Sequence, residues 1–143
     1  LRVDPRKRMI FNPEESIDFH GFTASFVQFS HARAKAILRN EQPSNNFTLL
    51  HNETLLPLEK ELIILLEKYP AIIQQAAFEH NPSVIVNYCY ELAKTFNSFV
   101  TAHRVLKAET ENKKQLRLRI CQMTANVIAS GMGLSGIEVP ERM

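Results

Sequence analysis

Apolar residues recur at steps of three and four along most of this chain. The longest such run, from Asn81 to Leu106, reads NPSVIVNYCYELAKTFNSFVTAHRVL. Ile85, Tyr88, Cys89, Leu92, Phe96, Phe99 and Leu106 form one apolar row, and Val86, Tyr90, Ala93 and Val100 form a second beside it. Two rows require two packing partners, which predicts a central helix. Asn81 suits the N-cap, Pro82 suits the first turn, and nothing breaks the run before the polar KAETENKK stretch. At about 1.5 Å per residue such a helix extends roughly 40 Å. Asn87, Glu91, Lys94, Asn97, Thr101 and Arg104 are left for a wet face.

The same periodicity places other helices around it. One runs from Thr23 or Ser25 to about Asn40, with Phe26, Phe29, Ala32, Ala36 and Ile37 as its stripe and Arg33, Lys35 and Arg39 flanking. Pro57 opens another, PLEKELIILLEKY, with leucines inward and charges outward, and Pro70 opens the short AIIQQAAFEH. These prolines enforce turns between antiparallel neighbours. A final helix is expected from about Lys113 to Ser130, closed by Gly131 as its C-cap. The tail GMGLSGIEVPERM shows no period and is expected to fray. Near the other end, PEESIDFH reads as a helical turn between Asn12 and Gly21, behind an irregular start.

With 143 residues, 45% of them apolar, four glycines and no tryptophan, the chain suits one all-α domain with a substantial core. Net charge is only +2, yet it is unevenly spread. Arg33, Lys35 and Arg39 have no acid among them, and six Lys or Arg between Arg104 and Arg119 face only Glu109 and Glu111. A polyanionic partner and ordinary solvated faces are both consistent with that distribution. Cys89 and Cys121 lie on apolar helical patterns without CxxC spacing, and read as buried free thiols. No signal peptide or long apolar run is present, so a soluble, cytosolic chain without a membrane partner is expected. A start at Leu1 rather than Met suggests a piece of a longer protein.

No catalytic constellation emerges. The five histidines show neither HExxH nor Glu-x-x-His spacing, and no phosphate loop or GxSxG elbow is present. Glu59 and Glu61 read as surface charges rather than an acid/base pair. Neither a catalytic site, a metal nor a cofactor is assigned to this chain. What remains is binding. RNA loops lay unstacked bases on aromatic faces while Lys and Arg hold phosphates, and Tyr88, Asn87, Asn97, His103 and Arg104 offer that mixture along one helix. Against this, a tyrosine on an apolar stripe is ordinarily core, and Arg117 and Arg119 are equally solubilising charges.

The run IDFHGFTASFVQFSHARAKAILRN, the central helix, and QLRLRICQMTANVIASGMGLSGIEVPERM together closely resemble the C-terminal part of bacterial arginyl-tRNA synthetases. The resemblance covers essentially the whole chain. It implies the all-α domain that grips tRNA, cut from a class I ligase charging arginine tRNA with ATP and Mg. The HIGH-like and KMSKS-like signatures of the catalytic domain do not occur here, so the fragment alone is expected to be inactive. Ser25 stands where many members carry Pro, Phe29 where they often carry Tyr, and Val100 where some carry an aromatic that frames an anticodon base. By position, Tyr88 is similar to the tyrosine that packs on an anticodon nucleotide, and Met143 to the C-terminal methionine near the same pocket. Arg33, Arg39, Arg104, Arg117 and Arg119 are candidate phosphate contacts from charge and helix position alone.

The expected fold is an antiparallel bundle of about five to six helices spanning 25–143, with 1–24 as a connector from a catalytic domain. The expected partner is arginine tRNA, and the parent enzyme is expected to be monomeric. A helical protein-interaction module that docks a partner helix on its Phe and Leu rows is the alternative.

Overall fold

The computed structural model describes residues 6–8, 10, 12–13, 23–44 and 54–143. PEESIDFH falls outside them from Glu14 onward, as does most of the 1–24 connector. Five helices and no strand form among the described residues. In α1, Ala24–Asn40, the Thr23 hydroxyl accepts the Phe26 N–H at 3.2 Å and satisfies one of the amides a helix start leaves unpaired. Prolines open α2, Pro57–Glu67, and sit in the first turn of α3, Tyr69–Glu79, which stops at His80 in the left-handed region. α4, Ser83–Ala102, starts where the Asn81 carboxamide oxygen accepts the Ser83 N–H. α5, Glu111–Leu134, starts where the Thr110 hydroxyl accepts from Lys113.

α4 touches all four other helices, as its two apolar rows require. Leu92, Phe96 and Phe99 on α4 meet Leu62 on α2 and Leu118, Ile128 and Met132 on α5 in one core. Each such side chain contributes about 1.5–3 kcal/mol by leaving water.

The structure departs from the sequence-based expectations in several places. α4 ends at Ala102, because His103 turns to extended backbone (φ −126°, ψ 125°). The helix is therefore nearer 30 Å than 40 Å, and Arg104 belongs to the following turn. Gly131 is no cap: α5 continues to Leu134, and Gly136 takes the positive φ of 72° beyond its end. Phe29, expected inside, is 45% exposed. The charges of α2 do not all face outward, since Glu59 is wholly buried.

The tail does not fray. Gln28 and Arg39 donate to the carbonyls of Glu138 and Glu141, and Lys35 pairs with the Glu141 carboxylate at 2.8 Å. His31, buried, lies 2.9 Å from the Pro140 carbonyl through Nδ1; a carbonyl only accepts, so Nδ1 carries the hydrogen. Ile137 and Val139 pack on the core. These partners recur along one face of α1, so the tail runs beside that helix toward its C-terminal end.

Candidate nucleic-acid interface

α1 carries a second, outward stripe, Phe29, Arg33, Ala36 and Asn40, at steps of four and three. Two clefts open on either side of it. One, about 500 Å³, lies between α1 and the tail, and is lined by Phe29, Ala32, Arg33, Arg39, Arg142 and Met143. The other, about 640 Å³, lies between α1 and the turn after α4, and includes Arg33, Val100, His103, Arg104 and Lys107. Arg33 and Ala36 line both.

Arg33 is held in place from behind. Its guanidinium donates to the Asn97 Oδ1 at 3.1 Å, the Asn97 amide donates to the Ser30 hydroxyl at 2.7 Å, and that hydroxyl donates to the Phe26 carbonyl at 2.8 Å. Both ends of Asn97 are engaged, so it orients Arg33 instead of presenting a free amide. Among the described residues no acidic side chain pairs with Arg33, Arg104 or Lys107. Glu141 is spent on Lys35, whose contact holds the carboxyl below its ordinary range. A face with this composition attracts anions.

The predicted residues divide. Arg33, Arg39 and Met143 come together at the tail cleft, and Arg104 joins Arg33 across the other. Asn87 is exposed on α4 but lines neither cleft. Arg119 donates to the Ser44 carbonyl and to Gln122, tying the segment after α1 to α5. Tyr88 and Arg117 need correction. Tyr88 is 6% exposed, stacks on Tyr69 at 5.7 Å and donates its hydroxyl to the Leu65 carbonyl at 2.8 Å. Its ring faces are occupied by protein, and Met143 lies at the tail cleft, whose lining does not include it.

Arg117 is 1% exposed and spends its guanidinium internally: Nε on Glu59, Nη1 on the Arg104 carbonyl, Nη2 on Glu109. Glu59, the supposed surface charge, also accepts from Lys113 and the Leu56 N–H. Burial raises its pKa, but these hydrogen bonds outweigh that and hold the carboxyl below its ordinary value.

Phe29, Lys107 and Arg142 were missed. The available signal for Phe29 was its position four residues before Arg33, off the row Val27, Ala34 and Leu38 that proves buried. The two cations sit in a turn and a tail without periodicity, and gave none.

Helical packing and a basic face with an exposed ring together define a small all-α module suited to an anionic polymer. A family model described as the DALR anticodon binding domain matches residues 27–143, and the chain belongs to that family. It is 45% identical over its whole length to an arginine–tRNA ligase of Flavobacterium psychrophilum and 40% identical to one of Porphyromonas gingivalis. It spans 24% of the length of each. Thermus thermophilus arginyl-tRNA synthetase superposes on all of the chain with TM-score 0.90 at 32% identity, using 25% of its own length. Plasmodium falciparum arginyl-tRNA synthetase shares the fold, with TM-score 0.83 at 18% identity, over 99% of this chain and 25% of its own. Among the described residues no helix is long and apolar enough to cross a membrane.

Proposed function

We propose that this chain binds the anticodon arm of arginine tRNA through the face centred on Arg33. It thereby orients the acceptor end for a catalytic domain elsewhere in the parent ligase. Its contribution is binding and orientation energy; bond chemistry, with ATP and Mg, belongs to the rest of a monomeric, cytoplasmic arginine–tRNA ligase. Alone, the chain carries no aminoacylation activity.

One observation carries the reading. Phe29, 45% exposed, lines a single cleft with Met143, Arg33 and Arg39. An apolar floor rimmed by guanidinium groups suits an unstacked base with its phosphates. The protein-docking alternative expects scattered basic side chains, whereas Arg33, Arg39, Arg104, Lys107 and Arg142 gather around two adjoining clefts.

The test is a fluorescence titration of the chain with arginine tRNA and a non-cognate tRNA at several salt concentrations. Cognate binding is expected to be tighter and to weaken steeply with salt. Phe29→Ala is expected to lose about 1–3 kcal/mol of that binding, from lost stacking, with its melting temperature kept. Binding that ignores both salt and Phe29 overturns the reading.

A further inference from the structure

Resting on the anticodon-arm reading, we infer that Arg117 is a positioning residue: from inside the bundle it latches the turn that carries Arg104 and Lys107 to the cleft. The turn 103–110 joins α4 to α5 and lies outside both helices. Arg117 grips it at both ends, through the Arg104 carbonyl at 3.2 Å and the Glu109 carboxylate at 2.9 Å. Between these grips Val105 is buried and adds an apolar anchor to the guanidinium. The bond falls on the main chain of Arg104 and leaves that residue's side chain to line the cleft.

The other half of the latch lies on α2. Glu59 Oε1 accepts from Arg117 Nε at 2.8 Å, while Lys113 fills Oε2 at 2.7 Å. An arginine fits this role because its planar fork holds Glu59, a carbonyl and Glu109 at once, with all three nitrogens used. A lysine presents one nitrogen in the same space and cannot reach three partners on separate elements. Pairing with Arg117 also keeps the Glu109 charge turned to the bundle, so the turn offers the cleft cations alone.

The test uses the 143-residue chain with Arg117→Lys and Glu109→Ala. Glu109 is exposed, so its removal cuts one grip without opening the core. Backbone NMR relaxation on the protein without RNA is the first readout. Both variants are expected to lower the order parameters of the 104–109 amides selectively, with the α4 and α5 interiors still rigid. Unchanged order parameters in the turn of both variants overturn the latch, and this readout decides it even if the wild-type chain fails to bind tRNA and the anticodon-arm reading falls.

The second readout is a double-mutant cycle on tRNA binding. Arg117→Lys is expected to lower the salt slope by about one phosphate contact. Arg104→Ala is expected to cost several-fold in affinity alone and almost nothing further in the Arg117→Lys background. Full additivity of the two substitutions shows that Arg117 does not act through Arg104, and overturns the positioning role.

Discussion

Gly131 lies so close to Cys89 that a β-carbon built on it would stand 2.5 Å from the Cys89 sulfur and 3.4 Å from Ile85. α4 and α5 meet there without room for a methyl group, and the sulfur is wholly buried. Gly131→Ala is expected to destabilise the domain by about 1–3 kcal/mol in a denaturant titration, from overpacking. Gly133→Ala, two residues on and facing open space, is the control. It should be neutral or stabilise by up to about 1 kcal/mol, because alanine restricts the unfolded chain. Equal losses at both positions would show that close helix approach is not the cause.

Tyr88 discriminates core from interface. Burial holds its hydroxyl well above the usual phenol range, and Cys89 and Tyr69 push the same way. Tyr88→Phe removes only the bond to the Leu65 carbonyl and is expected to cost about 1 kcal/mol of stability. Tyr88→Ala opens a cavity worth about 3–5 kcal/mol. The fold and the tRNA affinity of Tyr88→Phe should both be kept, whereas a hydroxyl that hydrogen-bonds a base would show itself as weaker binding at unchanged stability.

Acid stability should depend on Glu59. Its folded pKa lies below the ordinary carboxyl value of 4.5, so the associated stability is fully present above that value. It is lost as pH falls from there through the lower folded value. Glu59→Gln, which cannot titrate, should flatten the stability curve below about pH 4.5 relative to wild type. Glu59→Ala strands Arg117 in the interior and is expected to cost about 3–5 kcal/mol near neutrality. Parallel acid limbs in wild type and Glu59→Gln would remove Glu59 as the titrating group.

Both thiols are silent in the folded state. Burial pushes Cys89 and Cys121 up to about 12, so the reactive thiolate is scarce at neutral pH. A thiolate-selective reagent at pH 7 should label neither until denaturant unfolds the chain, when both react. Rapid labelling of the native protein would place one of them at the surface.

The helices were legible in the sequence because burial on one side of a helix imposes a local period. Asn81 and the prolines at 57 and 70 then mark several starts within the chain itself. The role of α4 was legible too, since its rows demand neighbours on both flanks, and it touches each of the other four described helices. Part of the basic face was readable for the same reason: Arg33 and Arg39 lie on one helix with no acid between them.

The tertiary structure alone decided which of these groups meet. Arg117 and Arg119 are two residues apart and chemically alike, yet one is buried on Glu59 and the other holds the Ser44 carbonyl. Nothing in a local pattern separates them, because Glu59 is brought in by α2 from 58 residues away. Phe29 and the tail show the same limit: a half-exposed ring gains a setting only when Met143, more than a hundred positions later, is carried back beside α1. Periodicity follows from neighbours along one helix, which the chain determines by itself. Pairing of distant polar groups follows from how helices pack, and that is settled only when all of them share one core.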